Sequence, residues 1–203
     1  MTKNFSKQSQ GMGGLVGAYA TLAAQVFAVT AAFQFLGESA QFRNLIAGQE
    51  ALAATTGVAF KSITNNIIAA TDAQLKYGEA ARAAAIGTAA GLTSGQLTEL
   101  ASAAKNVSFA LGRDLTDSFN RLVRGVTKAE PELLDELGII LRLEPATKKY
   151  AQEIGKTASE LNAFERTQAV TNEVLEQAET KFAAIEEMMP KNAASLAKFT
   201  KSF

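Results

Sequence analysis

The sequence contains no cysteine and no histidine among its 203 residues. Without cysteine the chain can form no disulfide bond and offers no thiolate. Without histidine it lacks the side chain that most often serves as a general base and as a zinc or iron ligand. These two absences exclude disulfide-stabilised scaffolds, cysteine nucleophiles and histidine-based metal sites.

Proline and net charge are also scarce. Only three prolines occur, and the sequence is rich in Ala, Leu, Glu, Lys and Gln, which have high helix propensity. Twenty basic and twenty acidic residues cancel, so no field of one sign directs the chain toward nucleic acid. We therefore predict an all-α protein, either an extended, non-compact helical chain or a multi-helix assembly.

Charge is missing altogether from residues 11–36, which read GMGGLVGAYATLAAQVFAVTAAFQFL. As a helix this run would be about 39 Å long, more than the roughly 30 Å hydrocarbon core of a bilayer. It is mostly Ala and Gly and includes Gln25 and Gln34, so insertion into lipid would gain less than for a Leu- or Phe-rich run. Lys3 and Lys7 precede it, but the run exceeds the apolar core of a signal peptide and no clear cleavage context ends it.

Small residues in this apolar run have the spacing of close helix contacts. Gly13 and Gly17 form a GxxxG pair, and Gly14 with Ala18 repeats the spacing. Three interpretations stay open: a helix packed against copies of itself or the wall of a protein tube, which we favour, a latent membrane segment, or an ordinary buried helix. The residues predicted to make these helix or membrane contacts are Gly13, Gly14, Val16, Gly17, Ala18, Phe27 and Phe33.

Charge density divides the rest of the chain, because charges are sparse over residues 38–110 and frequent over residues 111–203. We predict three segments: an apolar helix over 1–37, Ala-rich low-charge helices over 38–110 and a charged helical region over 111–203. A low-charge helix cannot present a well-solvated face alone, so the first half is expected to meet a partner.

Local signals place the individual helices. The periodicity predicts one helix over 38–70 and a second over 72–90, and Thr93 or Ser94 can cap a third. Asp114 is a good N-cap. Prolines at 131 and 145 are each predicted to open a helix, which glycines at 138 and 155 end. Residues 139–144 alternate in polarity and predict a brief extended segment.

The last predicted helix has the clearest apolar stripe. Thr157 and Glu160 fit a capping box, and apolar or small residues then recur at alternating three and four spacing, which permits a coiled-coil seam. A long amphipathic helix docked on its own domain explains the stripe equally well. The predicted seam residues are Leu161, Phe164, Gln168, Thr171, Leu175, Ala178, Phe182, Ile185 and Met189.

No motif for catalysis, cofactor binding or metal binding is found. The N-terminal glycines lack the strand and the Gly-Lys-Ser/Thr of a phosphate loop. An acidic group (Glu130, Glu132, Asp135, Glu136) is better explained as a solvated helix start than as a cation or acid/base site. Arg113, Asp117 and Arg121 favour an intrahelical ion-pair ladder over a phosphate-binding patch with Arg124 and Lys128. We expect no enzyme, no cofactor and no bound metal.

The segment ALGRDLTDSFNRLVRGVTKAEPELLDELGIILRLEPATKKYAQEIGK, residues 110–156, resembles the tail tape measure proteins of tailed bacteriophages. The following TASELNAFERTQAVTNEVLEQAETKF and the apolar run over 11–36 look similar to that family as well. The central piece, LGRDLTDSFNRLVRGVTKAEPELLDELGI, is the most specific part of the resemblance. Family members are typically much longer, so these 203 residues are either a fragment, which we favour, or a short relative with a different task.

The resemblance implies a structural role in the virion. Proteins of this family lie as helical, multi-copy filaments in the tail tube lumen, where their length sets the length of the tail. They assemble with tube proteins, chaperones and the tail tip or baseplate, and they leave before the DNA, which is only a transit neighbour. Some are thought to enter the host envelope and aid DNA passage. The alternative is a membrane-active protein, a pore former or an anchor, whose apolar run is the working part.

Overall fold

The computed structural model describes residues 40–41, 43–51, 53–54, 57 and 59–189. The apolar run over 11–36 and its predicted contact residues lie outside this part of the chain. The chain divides into two compact units, Met1–Gly48 and Gln49–Phe203. In the first unit, the described residues from 40 to 48 are helical; all further description concerns the second unit.

Helices dominate the second unit, and its described residues include no strand. The all-α prediction is therefore confirmed for the described part of the chain. The helices are α1 (Phe60–Ala70), α2 (Tyr77–Ala89), α3 (Ser94–Leu111), α4 (Leu115–Lys128), α5 (Pro131–Asp135), α6 (Leu143–Glu153) and α7 (Ala163–Met188), with a 3-10 turn at Ala158–Glu160.

Helix α3 is the centre of the unit. It packs against α1, α2, α4 and α7, and its residues from Ala104 to Ser108 are buried on every side. Its start is capped as the sequence predicts: Thr93 accepts from the Gln96 backbone N–H, and the Gln96 side chain accepts from the Thr93 N–H. Gly112 ends it in the left-handed conformation, φ 63°. The predicted segment boundary after residue 110 falls at the last turn of this helix.

The prediction of one helix over 38–70 is wrong, because the chain leaves helical geometry before Phe60. Gly57 has φ +70°, a conformation that glycine adopts without steric penalty. Its N–H donates to the Ala53 carbonyl at 2.8 Å, and Ala59 precedes α1 with φ −80° and ψ 69°. Glycine at this position acts as a helix end rather than a tolerated interior residue.

The predicted start of the second helix at residue 72 is also wrong. Asp72 and Ala73 have positive φ values of 51° and 58°, and the Ala73 N–H donates to the Ile68 carbonyl to close the end of α1. The Asp72 carboxylate pairs with Lys105 of α3, whose Nζ lies 3.3 Å away. Because this tertiary contact and the burial of Leu75 hold the turn, α2 begins only at Tyr77.

Helices α4 and α5 form a tight pair at the position of the most specific resemblance. Asp114 caps α4 by accepting from the Asp117 N–H at 2.8 Å, and Pro131 is the first residue of α5, as predicted. The α-carbon of Gly125 approaches Leu134 so closely that an added Cβ would lie 2.6 Å from its Cδ2. Gly138 then turns the chain with φ 73°.

Residues 139–142 are non-helical, which agrees with the first four residues of the predicted extended segment, whereas residues 143 and 144 belong to the next helix. Ile139 and Leu141 are buried whereas Ile140 is 57% exposed, so the side chains alternate as in a strand. The backbone of Ile140 pairs with a side chain instead of a strand: its N–H donates to Gln177 Oε1 at 3.1 Å, and its carbonyl accepts from Gln177 Nε2 at 2.9 Å. Helix α6 begins at Leu143, two residues before Pro145.

The long helix begins later than the Thr157 capping box predicted. That box is present, but it starts only the 3-10 turn Ala158–Glu160. A second box follows one turn on, in which Asn162 accepts from the Glu165 N–H and the Glu165 carboxylate accepts from the Asn162 N–H. Asn162 therefore caps α7.

Candidate functional site

Two members of the predicted acidic group, Glu130 and Glu136, pair with basic side chains. Glu136 faces arginines, and Glu130 lies 3.9 Å from both Arg124 and Lys128. Within residues 59–189 and the shorter described stretches, no cluster of three or more acidic residues has an arrangement that could hold a metal ion. Glu130 and Glu136 therefore act as ion-pair partners, and Glu132 lies in the first turn of α5.

The ion pairs of the predicted ladder are present, although Arg113 precedes α4, and they extend to Glu136 directly after α5. Asp117 Oδ2 lies 3.1 Å from Arg113 Nη2 and 2.8 Å from Arg121 Nε. Glu136 Oε2 adds contacts at 3.4 Å to Arg113 and 2.8 Å to Arg121. Desolvation raises the pKa of Asp117, but hydrogen bonds from Arg121 and Arg113 outweigh it and hold that pKa below its usual value. Both guanidinium groups are thus engaged within the chain, which weakens the phosphate-patch interpretation.

The first part of the predicted seam is used to dock α7 on its own unit. Gln168 Nε2 donates to the Gly91 carbonyl at 2.8 Å, and Gln168 Oε1 accepts from Gln96 Nε2 at 2.6 Å. Phe164, which remains 54% exposed, lies directly on Gly91. Thr171 is fully buried and donates to the Thr167 carbonyl. The polar seam positions are therefore satisfied inside one chain.

The remainder of the seam continues this intramolecular packing as far as Phe182. Ala178 is buried, and Leu175 and Phe182 pack against the core, together with Val170 and Val174, which the seam prediction omitted. Leu161 is buried ahead of the helix. Beyond Phe182, Ile185 and Met189 are half-buried. In the described chain the stripe behaves as the docked amphipathic helix that the sequence left open as an alternative.

Two salt bridges connect α7 to residues that precede it in the chain. Lys156 pairs with Glu165, and Lys149 of α6 pairs with Glu176. The hydrogen bond from Lys156, followed by that from the Asn162 N–H, lowers the pKa of Glu165. The hydrogen bond from the Thr157 backbone lowers the pKa of Glu160. Both carboxylates stabilise helix starts in their charged form.

A groove between α3 and α7 was not predicted from the sequence. This α3–α7 groove has a volume of about 400 Å³. Its exposed carboxylates belong to Glu99 and Glu179, and no lysine or arginine lines it. Asn106 is 8% exposed, and its Oδ1 has no hydrogen-bond partner. The groove is lined by Thr98, Glu99, Ser102, Ala103, Asn106, Leu175, Ala178 and Glu179.

In the part of the chain that the structure describes, none of the helices combines the length and the apolar character needed to cross a bilayer. No protein family model and no solved structure matches the sequence.

Proposed function

We propose that this chain is part of a structural, non-enzymatic phage tail protein of the tape measure type. In this role it occupies the lumen of the tail tube and contributes to setting tail length during assembly. It contacts tube proteins, the tail tip or baseplate and assembly chaperones. At infection it is released ahead of the DNA and acts at the host envelope.

The observation that carries this proposal is the specific resemblance over residues 111–139, together with the local structure of those residues. The residues that carry the resemblance form one structural module. It consists of the Asp114 cap, the Arg113–Asp117–Arg121 ladder, the Gly125–Leu134 contact and the turn at Gly138. Each of these residues makes a defined contact, cap or turn within the module. The resemblance therefore includes residues with specific structural roles and does not rest on helical composition alone.

In this role several copies associate side by side. The apolar run over 11–36 supplies one contact through its small-residue spacing. A second contact continues the α7 stripe past its docked part, where Ile185 and Met189 are half-buried and Met188 is 70% exposed. A coiled coil between copies would therefore involve the end of α7, whereas the stripe up to Phe182 stays within the chain.

The experiment is to isolate the native particle that contains this chain and to determine its copy number and cross-linked neighbours. We expect several copies enclosed by a ring of tail tube subunits. A variant with lysine in place of Val16, Phe27 and Phe33 tests the apolar run. This variant should not be incorporated into the particle, because charge in the apolar run opposes close helix packing. A chain that purifies as a monomer, without tail proteins, contradicts the proposal.

The alternative function is a membrane-active helical protein, and the length and neutrality of the run over 11–36 favour it. Under this alternative the purified chain releases dye from liposomes, and the same lysine substitutions abolish release while assembly persists. If the substitutions block assembly and the unsubstituted chain releases no dye, the membrane function is excluded.

A further inference from the structure

We infer that the α3–α7 groove binds a basic amphipathic helix of a partner chain. The inference goes beyond the proposed function, since the groove could serve this purpose in any helical assembly. It starts from the two helices themselves: α3 and α7 are in contact, yet they leave an open groove of about 400 Å³. Small residues on both sides, Ser102 and Ala103 on α3 and Ala178 on α7, allow another helix to approach closely.

Asn106 supplies an independent indication that the groove is incomplete. The residue is 8% exposed, and its Oδ1 accepts no hydrogen bond. A buried carbonyl oxygen without a partner costs about 1–3 kcal/mol, so such groups are rare in native proteins. The Oδ1 atom itself is closed to solvent in the free chain, so a partner helix removes this penalty when the Asn106 side chain rotates toward the groove and accepts a hydrogen bond there.

Charge specifies the partner. Glu99 and Glu179 stand at the groove and are exposed, and neither forms an ion pair with another described residue. A partner with lysine or arginine beside a small apolar stripe complements these carboxylates, whereas an acidic helix is repelled. Two carboxylates provide too few ligands for a tight divalent-cation site, which makes a basic side chain the better complement.

The test measures binding of the full chain to a labelled Ala/Leu helical peptide with lysines along one side and a central glutamine. A second peptide has glutamate in place of every lysine. We expect fluorescence anisotropy to detect binding of the lysine peptide only, weakening as salt rises. Equal binding of both peptides, or no binding of the lysine peptide, overturns the proposal.

Substitutions locate the binding surface. E99K/E179K should weaken binding of the lysine peptide about tenfold. The matched control D135K/E153K makes the same change in net charge at exposed carboxylates outside the groove, and it should leave affinity within about twofold. Circular dichroism verifies that both variants are folded. Equal weakening in the two variants means that net charge, not the groove, attracts the peptide.

Asn106→Leu separates a binding role from a structural one. Removing the unsatisfied Oδ1 should raise the thermal stability of the free chain, while loss of this acceptor should weaken peptide binding about fivefold. Unchanged affinity contradicts the proposed contact. If E99K/E179K instead abolishes self-association of the chain without peptide, the groove belongs to a second copy and the proposal of a separate partner fails.

Discussion

Some single residues of this chain are required by a close backbone contact or by a helix cap. Gly125 is such a residue, because the buried Leu134 occupies the space where a Cβ would be. Glu160 and Glu165 are others, because each carboxylate completes a capping box. The structure therefore explains why these three positions hold glycine or glutamate.

Gly125→Ala should destabilise the chain by about 1–3 kcal/mol, because Leu134 is fully buried and cannot move without disturbing the core. Chemical denaturation measures the change. Gly95→Ala is the matched control: Gly95 is exposed within α3, and the nearest atom to its added Cβ lies 3.8 Å away. That variant should gain up to about 1 kcal/mol through helix propensity. Equal effects at both positions would contradict the Gly125–Leu134 contact.

Acid should loosen the start of α7. The folded-state pKa values of Glu160 and Glu165 are lowered from 4.5, so their stabilising effect is complete above the unfolded-state pKa and is lost as pH falls through the folded-state values. The melting temperature should therefore fall with decreasing pH below about 4.5. E160Q/E165Q should flatten this dependence, and Glu153→Gln, which caps no helix, should retain it. An unchanged slope in the double variant would contradict the capping role.

Whole elements in this fold depend on partners that are distant in sequence. Helix α7 shows this most clearly, since its polar stripe residue Gln168 bonds to Gly91 and Gln96. The same stripe would serve a coiled coil between copies, in which a polar seam residue lowers stability. An apolar substitution of Gln168 should lower stability if α7 is docked on its own chain and raise stability if α7 forms a coiled coil between copies.

Gln168→Leu should lower the free energy of unfolding by about 1–3 kcal/mol, because it removes the hydrogen bonds to the Gly91 carbonyl and the Gln96 amide. Denaturation at several protein concentrations is the measurement, with Gln152→Leu on an exposed site of α6 as control. A concentration-dependent gain in stability would instead identify Gln168 as a seam residue between copies.

At the scale of the whole molecule, the division between residues Met1–Gly48 and Gln49–Phe203 is the main feature. The second unit has its own core, which extends from Phe60 to Ala178 with Phe182 packed against it. The apolar run over 11–36 belongs to the first unit. Folding and assembly should therefore be separable by deletion.

A chain of residues 49–203 should remain helical, unfold cooperatively and self-associate more weakly than the full chain, because it keeps the end of α7 but lacks the apolar run. Circular dichroism and analytical ultracentrifugation test both parts. Non-cooperative unfolding of the shorter chain would contradict its independence. A monomeric full chain would contradict the proposed multi-copy role.

Much of the local structure could be predicted from the sequence. The caps at Thr93 and Asp114, the turn at Gly138 and the extended character after it all depend on hydrogen bonds or φ preferences within a few residues. Helix breaks were harder to predict: Gly57 and Asp72 lie in patterns that continue a helix, and only the turn near Gly57 and the contact of Asp72 with Lys105 interrupt it.

The sequence by itself determined the all-α class, the starts of α3, α4 and α5 and the amphipathic stripe of α7, because these follow from interactions among near neighbours along the chain. Only the tertiary structure decided what covers that stripe, that Gln177 pairs with the backbone of Ile140, and that α3 and α7 leave a groove with an unpaired Asn106. These features depend on which distant helices meet and how closely their side chains fit, and periodicity carries no information about either.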